Sequence, residues 1–144
     1  MKSTFLTVFL ISLSLLVDAQ PILKDANSKL KYKVKITDKY IESVVSLQCG
    51  DQSKKDVKFT IYTEKIEKSK IDSLYDYGQA VFMNFLTEDK CKNKFSWKPT
   101  SISILVSKDG EISAIMDGSA ENTYGSRGSV TNYFTWKEGM FREL

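Results

Sequence analysis

The residues of this chain with the strongest capacity for chemistry are its two thiols, Cys49 and Cys91, set in a sequence that contains no histidine. Without imidazole the commonest general acid–base is gone, and a Cys–His nucleophile pair cannot be built. Two thiolates also fall short of the four ligands of a structural zinc site. In an oxidising compartment a lone pair of cysteines reads most simply as one disulfide, so a Cys49–Cys91 bridge is expected. Closing so long a loop would contribute about 3–5 kcal/mol in the chain-entropy account. The carboxylates nominate no reaction either. Asp72 and Asp76 stand four apart at helical spacing, but beside the apolar stripe, where they read as solvated surface. Asp117, Glu121 and Asn122 carry oxygens without the spacing of a calcium loop. The glycines nearby do not follow a dinucleotide or phosphate-loop pattern. No catalytic residue, cofactor or metal ligand is therefore assigned, and an enzyme is not expected.

Two features remain that could bind. The segment Lys29–Ile36 alternates strictly, placing Lys29, Lys31, Lys33 and Lys35 on one side of a strand and Leu30, Tyr32, Val34 and Ile36 on the other. Such a face could meet an anionic polymer, a lipid headgroup or an acidic protein, or it could simply guard a sheet edge from unwanted pairing. No aromatic residue is interleaved with the lysines, which argues against single-stranded nucleic acid. The second feature is the polar, glycine-rich stretch from Asp117 to Ser129. It is long for a hairpin connection, and it carries Tyr124 and Arg127, residue types that supply interface hot spots. It reads as a loop, or as two strands continuing through a bulge.

The elements that must hold these residues follow from the hydrophobic period. Tyr40–Cys49 and Asp56–Thr63 continue the alternation of the first strand, which points to an antiparallel meander. The period then changes: Ile71, Leu74, Tyr75, Gly78, Val81, Phe82, Phe85 and Leu86 form one stripe on a long helix, with Ser69 as N-cap. Strands resume at Ser101–Ser107 and, after an Asp109-Gly110 turn, at Ile112–Met116. Val130–Trp136 and Met140–Leu144 complete the set. The expected fold is α+β, in βββ-α-ββββ order, with one long amphipathic helix packed on a curved antiparallel sheet. The disulfide would pin the end of that helix to the second strand.

Residues 1–19 have the layout of a secretory signal: Lys2, then an apolar run from Phe5 to Val17, then Val17-Asp18-Ala19 before a cleavage point. The run is shorter than a membrane span needs. Residues 20–144 are then a single domain, secreted or periplasmic, with no membrane span of its own. The full chain carries 21 basic and 18 acidic residues, a formal charge of +3. That mild charge implies no nucleic-acid partner, and Arg127 and Arg142 are the only arginines, against a surface built to read phosphates. The function expected is therefore a non-enzymatic binding protein acting on another protein in the envelope or outside the cell, with an inhibitor or immunity protein as its concrete form. A carrier of a small apolar ligand, lined by Tyr32, Tyr75, Phe82, Phe85, Trp97, Phe134 and Trp136 between helix and sheet, ranks second. A hydrolase ranks third.

Overall fold

A computed structural model of the chain describes residues 30–144, with side chains from residue 35 onward. Residues 1–29, which include the expected signal segment and Lys29, lie outside the described residues. Among the described residues seven strands make one sheet in chain order: β1 (Leu30–Ile36), β2 (Tyr40–Gln48), β3 (Lys54–Tyr62), β4 (Lys98–Val106), β5 (Ile112–Glu121), β6 (Arg127–Lys137) and β7 (Met140–Glu143). Between β3 and β4 the chain crosses one face of the sheet as two helices, α1 (Lys68–Leu74) and α2 (Tyr77–Asp89), and a 3-10 turn at Lys94–Ser96. The fold is thus α+β. The sheet, however, is mixed: β3 and β4 run parallel, in the register Phe59↔Ile102 and Ile61↔Ile104, while every other neighbouring pair is antiparallel. The cause is the crossover. A chain carried back across the face by helices re-enters the sheet in the direction in which it left, as parallel pairing requires.

The single long helix expected from the sequence is two helices. Tyr75 leaves helical geometry (φ −90°, ψ 53°), and Asp76 starts a new helix by accepting a hydrogen bond from the Gly78 N–H at 2.8 Å. Asp76 is therefore an N-cap, and the Asp72–Asp76 carboxylate pair dissolves into a cap and an exposed side chain. Ser69 caps nothing: α1 starts after Glu67, without a side-chain cap. The break also resets the helical phase. Ile71, Leu74 and Tyr75 go into the core as expected, but α2 buries Ala80, Met83, Asn84 and Thr87 and leaves Val81, Phe82 and Phe85 in solvent.

The core lies between the helices and one face of the sheet, filled by Val57, Phe59, Ile61, Ile102, Ile104, Met116, Phe134 and Trp97, all fully buried. Tyr75 packs edge-on against Phe59, ring centroids 5.3 Å apart, and its hydroxyl donates to the buried Ser43 Oγ. Burial raises the Tyr75 phenol above its usual pKa. The inward positions of β5 become small toward its end, Ala114, Met116, Gly118, Ala120, and this admits Trp97. A Cβ on Gly118 would stand 2.2 Å from the Trp97 ring, so only glycine fits beneath the indole.

Cys49 and Cys91 do not form the expected disulfide; both are free, buried thiols. Cys91 lies just past α2, and its Sγ turns back to the Thr87 carbonyl at 3.4 Å, a bond within its own helical turn. Cys49 ends β2 in a turn closed by hydrogen bonds to Ser53 and Gln52. The Cys91 sulfur and the Cys49 backbone are thus each engaged within a separate local turn. The anchoring of the helix to β2 falls instead to Asn84, whose Nδ2 donates to the Gln48 carbonyl at 2.8 Å.

Candidate functional site

The stretch from Asp117 to Ser129 is an extended hairpin. Strand β5 runs on to Glu121 and β6 begins at Arg127, paired residue for residue from Ser113↔Thr135 to Glu121↔Arg127. The connection is Asn122–Ser126. Asn122 Oδ1 accepts the backbone N–H groups of Tyr124 (2.8 Å) and Ser126 (3.1 Å), an Asx-type turn. Gly125 supplies the left-handed residue at φ +80° that lets the chain reverse. The Asn122 N–H to Ser126 carbonyl bond at 2.9 Å closes the loop. At its tip the Tyr124 ring is 93% exposed.

Arg127 locks this hairpin to the end of the crossover. Its guanidinium donates to the Ser96 carbonyl (3.1 Å) and to Ser119 Oγ (3.1 Å), and pairs with Glu121 at 3.4 Å. Ser96 returns the contact, its Oγ accepting the Glu121 N–H at 2.7 Å. Between the hairpin and the end of α2 lies an open basin of about 300 Å³ whose wall includes Lys90, Cys91, Lys92, Glu121, Arg127 and Val130. Lys90 is already paired: its ammonium lies 2.8 Å from Glu143 and 3.1 Å from Asn132 Oδ1. That hydrogen bond holds the Glu143 carboxyl below its usual range. Lys92 is exposed and forms no ion pair among the described residues. Burial, helped by Glu88, pushes the Cys91 thiol above its ordinary pKa, and burial likewise raises Glu88. A thiol held protonated in this way is a poor nucleophile. Among the described residues no group of three or more Cys, Asp or Glu is placed to hold a metal ion.

The other predicted site residues are scattered. Lys35 is exposed, its ammonium 5.7 Å from the Tyr40 ring centre. The side chains of Lys31 and Lys33 lie outside the described residues. The pairing of β1 with β2 shifts between Lys31 and Lys35, so the strand is bulged rather than evenly alternating. The structure does not unite Lys35 with Arg127: the first sits on edge strand β1 and the second on β6, at opposite ends of the strands. The candidate site is therefore the hairpin tip with its basin. Sequence reading nominated Tyr124 and Arg127 by residue type, and the structure places both on this hairpin. It missed Ser96, Lys90 and Lys92, which approach only because the crossover ends beside the hairpin. The spent glycine spacing held one usable signal, Asn122 three residues before Gly125, which marks a side-chain-closed turn.

These features define an α+β protein with a helical crossover and a hydrogen-bonded, aromatic-tipped hairpin. Comparison of the chain with protein-family models, curated proteins and solved structures gives no match. Among the described residues no helix is long and apolar enough to cross a membrane.

Proposed function

We propose that this protein is an exported, non-enzymatic binding protein that engages another protein through the β5–β6 hairpin, in the manner of an inhibitor or immunity protein. The carrying observation is Tyr124. A tyrosine 93% exposed at the tip of a turn closed by Asn122 contributes nothing to the core, yet its backbone is held for contact. Pre-organisation of this kind lowers the ordering cost of binding. Arg127 supports the reading from the side, since its bonds to Ser96 and Ser119 fix the base of the hairpin. The basin beside it, with Lys92 exposed and in no ion pair among the described residues, favours an acidic side chain from the partner. Export rests on the signal-like layout of residues 1–19.

The small-ligand carrier draws less support. Its proposed lining divides into core side chains, with Trp97 and Phe134 fully buried, and surface ones, with Phe85 61% exposed. The test is affinity capture from an envelope and extracellular extract with protein starting at Gln20, alongside Tyr124→Ala. One dominant protein retained by the parent and lost by the variant supports the reading. Equal capture by both, or none by either, overturns it.

A further inference from the structure

The outer face of α2 has no role in the hairpin reading. Gly78, Val81, Phe82 and Phe85 recur at the helical spacing that puts side chains on one face, and all four are exposed. Val81 and Phe82 are each 40% exposed, and Phe85 is 61% exposed. One turn beyond Phe85, Asp89 pairs with Lys94 and so ties down the 3-10 turn that carries Phe95, 76% exposed. Gly78 is the small member of this row, and nothing in its own chain calls for glycine. Its φ is not left-handed, it does not touch the sheet, and the nearest atoms a Cβ would meet belong to the Asp76 carboxylate, at 3.3 Å. A helical glycine lowers stability. Its presence is accounted for where a side chain from another molecule fills the space above it.

The row is complementary to itself. Turned end for end, it sets Phe85, its most exposed side chain, against Gly78, which has none. We propose that α2 packs on α2 of a second copy of this chain, antiparallel about a twofold axis that passes between Val81 and Phe82. Each Phe85 then fills the space over the partner's Gly78, and each Phe82 lies beside the partner's Val81, a knob meeting a hole at both ends. A twofold contact needs such a self-complementary patch. The charges are compatible with this pairing. From Tyr77 to Thr87 the helix carries no charged residue, so no like charges are set face to face. The carboxylates at its ends are engaged, Asp89 by Lys94 and Asp76 by the Gly78 N–H. Antiparallel packing also turns the acidic end of each helix, Glu88 and Asp89, toward the positive pole of the other. Taking about 200 Å² for a whole phenylalanine, the exposed fractions of Phe82, Phe85 and Phe95 amount to about 350 Å². With Val81 added, this approaches the apolar share of a standard interface, which takes about 800 Å² from each partner, a little over half of it apolar.

No hairpin residue takes part, so this proposal and the hairpin reading fail separately. The test is sedimentation equilibrium of protein starting at Gln20, which keeps every described element. A monomer–dimer equilibrium in the micromolar range is expected. Phe85→Ala should weaken it at least about tenfold. Gly78→Phe should do the same, by filling the space that the partner's Phe85 needs. The double variant Gly78→Phe/Phe85→Ala exchanges knob and hole, and should recover most of the lost association. Both positions are exposed, so the variants should keep the thermal midpoint of the dilute parent, and Tyr124→Ala should dimerise as the parent does. A parent that stays monomeric to about 500 μM, well above the micromolar range, overturns the proposal. So does a dimer indifferent to Phe85→Ala, or a double variant that associates no better than the single ones. A dimer lost in Tyr124→Ala also overturns it, because the contact would then run through the hairpin.

Discussion

The indole Nε1 of Trp97 donates to Asn84 Oδ1 at 2.9 Å, and the same amide donates from Nδ2 to the Gln48 carbonyl at 2.8 Å. One buried asparagine thereby joins the end of the crossover, the second helix and the second strand. Replacing it with alanine leaves a buried indole N–H unpaired and removes a bond to a part-buried carbonyl. Asn84→Ala should cost about 2–4 kcal/mol, read as a lower urea midpoint at unchanged slope. A loss below about 0.5 kcal/mol would mean the amide carries none of this.

Glycine under an aromatic ring is a stringent fit. Gly118→Ala drives a Cβ into Trp97 and should destabilise by at least about 2 kcal/mol, with a change in tryptophan near-ultraviolet dichroism. Gly128→Ala, ten residues further along the same hairpin, meets nothing within 4 Å. It should fall within about 0.5 kcal/mol of the parent. Equal effects at both sites would contradict the placement of Trp97.

These two sites show what the sequence could convey. Strand alternation marks Ile41, Val45 and Leu47, then Val57, Phe59 and Ile61, then Ile102 and Ile104 as inward, and all are buried, because residues i and i+2 share a side whatever the rest of the chain does. The helix phase failed because α2 starts afresh at Asp76, and a stripe counted through Tyr75 then names the wrong face. Asn84 and Thr87 lie outside the expected stripe and are buried, since their partners, Gln48, Trp97 and Asn132, come from distant strands and from the end of the crossover. The disulfide expectation failed similarly: cysteine count carries no geometry. At the candidate site, residue type exposed Tyr124 and Arg127, but the partners of Arg127 include Ser96, 31 residues away.

Thiol chemistry gives a direct check. Under denaturing, non-reducing conditions the protein should titrate as two free thiols. Folded, both should react slowly, because Cys49 and Cys91 are buried and the Cys91 thiol is held protonated. Absence of free thiol in the denatured protein would contradict the structure.

Acid should act through Glu143. Its folded pKa lies below the usual 4.5, mainly through the Lys90 hydrogen bond with further help from Asn132. A depressed carboxyl stabilises fully above its unfolded pKa and loses that contribution as pH falls through the folded value. The stability gap between the parent and Glu143→Gln should therefore be constant above about pH 5 and shrink below it. A gap that widens in acid would reverse the sign and refute the pairing.

The single parallel seam between β3 and β4 also sets an order of assembly. Strands β1 to β3 join through short turns, as do β4 to β7, and such local contacts form early. The seam must wait for both helices and the 3-10 turn. Until β4 arrives, Val57, Phe59 and Ile61 sit on a strand with one edge unpaired and the inner face uncovered. For a chain that emerges from its N-terminus, this is the interval of greatest exposure to wrong strand pairing. Lys54, Lys55 and Lys58, interspersed along the same strand, then serve as gatekeepers that keep the waiting edge from finding another chain.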